Sequence, residues 1–155
     1  MPAAVTSPHN PKVKHVVKLR ERRQREREGL MLVEGRAELS LALASGVRPQ
    51  TLFFCPSLFG AAQPEELWER ACQTDAELIE VSPAVFEKIA YRENPDGWLA
   101  VIPTPRPRLA DLTLGAVPLV IVAEAIEKPG NLGAILRSAA GRACRSARSQ
   151  ASARL

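Results

Sequence analysis

The sequence predicts an α/β fold: a small domain with a mostly parallel or mixed sheet covered by helices, followed by the start of a second unit. Three observations carry this expectation. Between residues 29 and 103, short apolar runs alternate with amphipathic stretches in the order β-α-β-α-β-α-β. The stretch "PTPRPRLADLTLG", with three prolines in its first five residues, then interrupts the alternation as a semi-rigid linker. Beyond it lies the most apolar run of the chain, "VPLVIVAEAI", which leads into a Pro-Gly turn and a new helix start.

Taken in order, Asn10-Pro11 is a helix start, because Asn caps free N–H groups and Pro loses nothing at the first helical position. Val13, Val16, Val17 and Leu19 give a short apolar stripe, and the pattern predicts one basic helix over residues 11–28, ended by Gly29. "LMLVEG" reads as a buried strand, Leu30 to Val33, running into a turn at Gly35. "RAELSLALASG" places Ala37, Leu41 and Ala44 at helical spacing and stops at Gly46. "TLFFC" is strand-like, and "PEELWERACQT" is a helix with two glutamates in its positive first turn. "ELIEV" is a third strand, Ser82-Pro83 starts the helix "AVFEKIAY", and "GWLAVI" is a strand after the turn "ENPDG". Past the linker, Leu119 to Ala123 reads as a strand. The last fifteen residues, "GRACRSARSQASARL", carry no aliphatic periodicity until Leu155.

With 155 residues and an apolar fraction of 46%, the chain can hold one domain plus a fragment of another. No apolar run approaches the roughly 20 residues of a membrane helix, and "MPAAVTSPHNPKVK" lacks the apolar stretch of a signal peptide. Cys55, Cys72 and Cys144 are odd in number and widely separated, which predicts reduced thiols in a cytoplasmic protein, with neither a disulfide frame nor a metal site. His9 and His15 are six apart, not a ligand spacing.

The net charge of +4 conceals a division along the chain. Residues 12–28 hold eight Lys/Arg against three Glu, residues 29–136 hold eight basic and fourteen acidic groups, and residues 137–155 hold five Arg and no acid. Lys12, Lys14, Lys18, Arg20, Arg22 and Arg23 surround the apolar stripe of the first helix. That arrangement suits nucleic-acid phosphates, although Glu21, Glu26 and Glu28 interleave as in a solvated, salt-bridged helix. Glu34 precedes Gly35 after a buried strand and would cap the following helix. In "YRENPDGW", which mixes Arg92, Asn94 and Asp96 with Tyr91 and Trp98, a turn accounts for "NPDG", while the flanking aromatics could stack on unpaired bases. In "EKPGNLGAILRSAAG", Asn131 as the helix cap would put Leu132, Ile135, Leu136 and Ala139 on one face and leave Gly133 and Arg137 on another. A helix N-terminus with a fixed guanidinium beside it suits an anion, but on spacing alone a plain strand–turn–helix with a solvated arginine is the better fit.

These segments together resemble the SpoU (TrmH-like) family of RNA 2′-O-ribose methyltransferases in the SPOUT superfamily, from about Ser7 to Ala140. "SPHNPKVKHVVKLRERRQRERE" resembles the family's N-terminal helix, "LMLVEGRAELSLAL" its "EG" strand–helix, and "YRENPDGWLAV" the loop before the last strand of its substrate-binding domain. "IEKPGNLGAILRSA" is similar to the first motif of the catalytic domain and is the most specific of the four. Many members have Gln-Gly where this chain has Asp96-Gly97, and acidic residues are frequent where Lys128 stands.

The resemblance implies a fold and a division of the chain. Residues 1–28 would be a basic helical segment, 29–103 an L30e-like α/β/α substrate-binding domain with a mixed sheet, and 104–116 a Pro-rich linker. Residues 117–140 would be the first strand and helix of an incomplete, Rossmann-like knotted domain, and 141–155 a disordered tail. It implies Asn131 and Arg137 as active-site residues, the arginine helping to activate the ribose 2′-hydroxyl or hold the adjacent phosphate. Lys12, Lys14, Lys18, Arg20, Arg22, Arg23, Glu34, Arg92 and Asn94 are then the RNA-binding candidates, with rRNA or tRNA as partner.

The family's cofactor is S-adenosylmethionine, bound in a C-terminal knot built from "GNE-G" and "SLN-S" motifs that do not occur in this sequence. The expectation is therefore the RNA-binding half of such an enzyme, without cofactor binding or methyl transfer by this chain and without the family's homodimer. A frameshift or truncation would account for the tail. The rival expectations are a non-catalytic L30e-like RNA-binding module and a non-functional fragment.

Overall fold

The computed structural model describes residues 4–60, 65–106, 108–111, 118, 120–124 and 129–143. The chain divides into two units, residues 1–104 and residues 105–155.

The first unit is built in chain order from α1 (Pro11–Lys18), α2 (Arg22–Glu28), β1 (Leu30–Glu34), α3 (Arg36–Ala44), β2 (Thr51–Phe54), α4 (Glu65–Cys72), β3 (Glu77–Glu80), α5 (Pro83–Ile89) and β4 (Trp98–Pro103). The strands form one sheet in the order β1-β4-β2-β3. β2 and β3 run parallel, while β4 lies antiparallel to both β1 and β2, so the sheet is mixed. Val5 adds a parallel bridge to Val81 at the β3 edge, its N–H donating to the Glu80 carbonyl at 2.8 Å. The expected α/β order with a mixed sheet is the one observed.

Strand alternation divides the core between the two faces of the sheet. Leu99 and Val101 of β4 and Phe53 of β2 join Val13, Val16 and Leu19 from α1 and Val85, Phe86 and Ile89 from α5. Trp98, Ala100 and Ile102 of β4, with Leu52 and Phe54, join Leu39 of α3 and Leu67 and Ala71 of α4 on the other. Burying each large side chain such as Phe86 or Leu39 contributes about 1.5–3 kcal/mol. The caps follow the expected chemistry: Asn10 Oδ1 accepts the Lys12 N–H at 2.9 Å, and Ser82 Oγ accepts the Val85 N–H at 3.4 Å.

Three expectations are corrected. The basic segment is two helices, not one over residues 11–28. The chain is extended at Glu21, and the Arg25 guanidinium donates to the carbonyls of Leu19 at 3.0 Å and Arg20 at 2.6 Å. In a continuous helix the backbone N–H groups four residues on would serve those two carbonyls; the N–H of Gln24 turns to Glu21 instead. In α3, Ala37, Leu41 and Ala44 face solvent, Leu41 being 70% exposed, whereas Leu39 is buried and Leu43 packs beside it. A helix rich in Ala and Leu offers more than one apolar face, and the larger i, i+4 leucine pair takes the sheet. Glu34, finally, does not cap α3.

In the second unit, α6 spans Pro129–Ala143. The strand expected from Leu119 to Ala123 is not formed among the described residues: Val120–Glu124 carry no strand pairing, and Val120, Ile121 and Val122 are exposed. A strand exists only with a neighbour to complete its hydrogen bonds, and no described segment supplies one. The expected tail, residues 141–155, begins inside a helix, since α6 continues to Ala143; the rest of it, and the expected linker beyond Asp111, lie outside the described residues.

Candidate nucleic-acid interface

Two loops that are far apart in sequence are locked together at one end of the sheet. Glu34, the last residue of β1, is buried, and its carboxylate accepts the N–H groups of Tyr91 at 2.6 Å and Arg92 at 3.4 Å. Asp96 works in the opposite direction. Its Oδ2 accepts the N–H of Arg36, the first residue of α3, at 2.7 Å, and its Oδ1 accepts the Trp98 N–H at 3.3 Å. The cap that Glu34 was expected to supply thus comes from the "NPDG" turn. A free helix N–H prefers an anionic acceptor.

Gly35 stands where these bonds cross. Its φ of 106° lies outside the range side chains favour, and its N–H donates to the Trp98 carbonyl at 2.9 Å. A Cβ placed there would approach the Arg92 guanidinium to 2.6 Å and collide with the Glu38 carboxylate, which are paired with each other. That pair raises the Arg92 guanidinium above its ordinary pKa, chiefly through the hydrogen bond to Glu38. Gly97 has φ 83°, and a Cβ there would meet the Cys55 carbonyl at 2.6 Å.

The basic segment reaches the same place through Arg20. Its guanidinium donates to the carbonyls of Lys88 at 2.7 Å and Ala90 at 2.5 Å and lies 5.1 Å from the centre of the Tyr91 ring. Burial pushes the Tyr91 phenol above its ordinary pKa, against the opposing pull of Arg25 and Arg20.

The expected site residues fall into three groups. Arg20, Glu34, Arg92 and the exposed Asn94 gather around the loop from Tyr91 to Gly97. Lys14, Lys18 and Arg23 are exposed on α1 and α2, and Arg22 is exposed in an ion pair with Glu26 at 2.6 Å. Lys12 sits apart from the loop, paired with Glu77 at the start of β3. In the other unit, Asn131 is the third residue of α6 rather than its cap, and both it and Arg137 are exposed. A Cβ on Gly133 would come within 3.2 Å of the Arg137 guanidinium, so the group using that bare backbone is the arginine itself.

The sequence does not mark Arg25 or Glu38 as site-forming residues, and it marks Asp96 only as a member of the loop. The alternation of charge around residues 20–28 hints at the first, while the Arg92 that pairs with Glu38 and the Arg36 N–H that Asp96 accepts are each more than fifty residues away. Trp98 is corrected as a stacking candidate: it is 1% exposed and stacks on Phe59, ring centres 4.8 Å apart and planes 4° from parallel. Among the described residues no three His, Cys, Asp or Glu side chains are grouped to hold a metal, Cys55 is buried, and Cys72 is exposed. No described helix is long and apolar enough to cross a membrane.

Comparison with known proteins reaches the same segments. Residues 10–100 match the MRM3-like substrate binding domain. The chain belongs to that family. Its MRM3-like domain spans α1 to β4, and therefore includes the basic segment, the "EG" turn and the loop that Glu34 holds.

An uncharacterized tRNA/rRNA methyltransferase of Synechocystis is 34% identical over 149 residues, 89% of this chain and 49% of that protein. The mitochondrial rRNA methyltransferase 3 of Mus musculus is 32% identical over 124 residues, 77% of this chain and 28% of that protein. The chain thus spans about half the length of the first relative and little more than a quarter of the second. A crystal structure described as an RNA 2′-O ribose methyltransferase superposes with a TM-score of 0.71 at 34% identity, over 90% of this chain and 52% of that one. The SpoU methyltransferase AviRb of Streptomyces viridochromogenes, solved with the cofactor AdoMet, gives 0.59 at 25% identity, over 85% and 48%.

Proposed function

We propose that this chain carries the RNA-holding half of an RNA 2′-O-ribose methyltransferase acting on rRNA or tRNA. The observation that carries the reading is the reciprocal lock between Glu34 and Asp96, which fixes the loop from Tyr91 to Gly97 next to the Arg20 end of the basic segment. Such an arrangement presents cations at set positions to a phosphate backbone. Lys14, Lys18, Arg20, Arg22, Arg23, Arg92 and Asn94 contact the RNA in this reading, with Lys12 at the margin and Glu34 holding the loop rather than touching the ligand.

The division of labour follows: residues 29–103 bind substrate with the basic segment 1–28 appended, 104–116 connect, and the segment from 117 to the end of α6 opens the methyltransferase domain. Asn131 and Arg137 belong to the catalytic edge. The guanidinium of Arg137, folded over Gly133, would hold the phosphate beside the target ribose or favour loss of the 2′-hydroxyl proton.

S-adenosylmethionine supplies the methyl group in this chemistry. The described residues of α6 offer in Arg137 a permanent cation, which does not complement a positively charged sulfonium, so by themselves they do not fit that group. Given labelled S-adenosylmethionine with rRNA and tRNA, this chain on its own is expected to bind RNA and to transfer no methyl group. We place it in the cytoplasm.

Binding to total rRNA or tRNA, measured by filter retention across a salt series, tests the reading. The logarithm of affinity should fall linearly with the logarithm of salt. Replacing Lys14, Lys18 and Arg23 together by Gln should flatten that slope by roughly 2–3, about 0.7–0.9 for each phosphate no longer neutralised. Salt-independent binding, or a slope unchanged in the triple variant, would refute it.

A further inference from the structure

Tyr91 is the only tyrosine of the sequence, and 51% of it is exposed where the loop begins. Exposed rings are usually mobile, but this one is anchored at two levels. Its backbone N–H is held by the buried Glu34 carboxylate at 2.6 Å. Its ring is backed by the Arg20 guanidinium, which is itself tied to the carbonyls of Lys88 and Ala90, immediately before the tyrosine. Arg25 bonds the carbonyls of Leu19 and Arg20 and adds a second positive charge felt at the phenol.

A flat apolar surface that is already ordered loses little entropy when another flat group covers it. The cations around it favour a ligand that carries negative charge beside its flat group, and a nucleotide combines both. In a duplex each base already has neighbours on its two faces, so only an unpaired base can reach the ring. Trp98, the other aromatic flanking the loop, is buried against Phe59 and Phe54 and has no face to offer.

We propose that Tyr91, held by Glu34 and backed by Arg20, is a stacking platform for one unpaired RNA base. This rests on the reading of the domain as an RNA binder and adds to it the class of substrate: a single-stranded loop, bulge or end, not a continuous helix.

The test uses the full chain and two probes, a fluorescein-labelled single-stranded RNA oligonucleotide and the same strand annealed to its complement. Tyr91→Ala should weaken single-strand binding by roughly 5- to 150-fold, the range of one base–aromatic stack, and leave duplex binding within about twofold. Tyr91→Phe should keep single-strand affinity within about threefold, because the flat ring remains. Tyr91→Leu keeps the apolar bulk and should behave like Tyr91→Ala, which separates loss of the ring from loss of folding. Equal losses on both probes, or single-strand affinity retained by the Ala and Leu variants, would overturn the stacking proposal while RNA binding itself stood. Absence of RNA binding by the unmodified chain would overturn both readings.

Discussion

Glu34 and Asp96 each serve the other's segment: the first accepts N–H groups at the start of the loop that contains the second, and the second accepts the N–H of Arg36, two residues beyond the first. With the Gly35 N–H on the Trp98 carbonyl, the two segments are joined in both directions across an antiparallel strand pair. Moving one segment breaks bonds in the other, so a substitution at Glu34 should be read at Tyr91.

Glu34→Ala should lower stability by about 1–3 kcal/mol, because two N–H groups lose a largely buried acceptor. Glu34→Gln, which keeps one oxygen, should lose less. Urea unfolding measures the cost, and amide exchange should accelerate at Tyr91 and Arg92 in the Ala variant. Unchanged exchange at those two amides would contradict the lock.

Gly35→Ala should be destabilising by roughly 1–3 kcal/mol from backbone strain alone, since φ 106° and ψ 144° form a region that glycine almost monopolises. The Arg92–Glu38 pair must also give way to the new Cβ. Adding Glu38→Ala to Gly35→Ala should recover part of the steric share and none of the strain, a coupling readable in a double-mutant cycle of thermal melts.

The two aromatics that bracket the loop should respond oppositely. Trp98→Ala empties a packed site beside Phe54, Phe59 and Trp68, and about 3–5 kcal/mol should be lost. Tyr91→Ala, on the surface, should stay within about 0.5 kcal/mol. Chemical denaturation of both variants checks the contrast; similar losses would mean that Tyr91 is a packing residue.

The junction of α1 and α2 should make stability depend on acid. The Glu28 carboxyl is pulled below its ordinary pKa, first by the hydrogen bond from His15 at 2.5 Å. A folded-state value below the unfolded one contributes stability that is complete above the ordinary carboxylate range and is lost as pH falls through the lowered value. The difference in melting temperature between the unmodified chain and Glu28→Gln should therefore shrink with acidification. A constant difference would rule the pair out as its source.

The four strands were legible because each is a short run with apolar residues bounded by Gly, Pro or charged residues, whereas the equally apolar run at Val120–Ala123 has no partner strand among the described residues. The break at residues 19–21 was not legible, since no Gly or Pro marks it and its cause is a side chain, Arg25, curling back onto two carbonyls. The buried face of α3 was misread because Ala and Leu recur on several faces, and burial is decided by what lies opposite. Glu34 was placed on the correct turn with the wrong partner: capping is a local inference, whereas the N–H groups it accepts lie 57 and 58 positions away. Resemblance named the same two segments, but their physical junction became visible only in the fold.

The position of β4 bears on how the chain is made. It is the last strand of the sheet to be synthesised, yet it lies between β1 and β2 and is, among the described residues, the only neighbour of β1. Until Trp98 to Pro103 have left the ribosome, β1 has no hydrogen-bonding partner and only the parallel β2–β3 pair can form. A nascent chain therefore carries an open apolar strand from the completion of β1 until β4 emerges, and anything that stalls translation in that interval leaves a sticky edge for chaperones or other chains to cover.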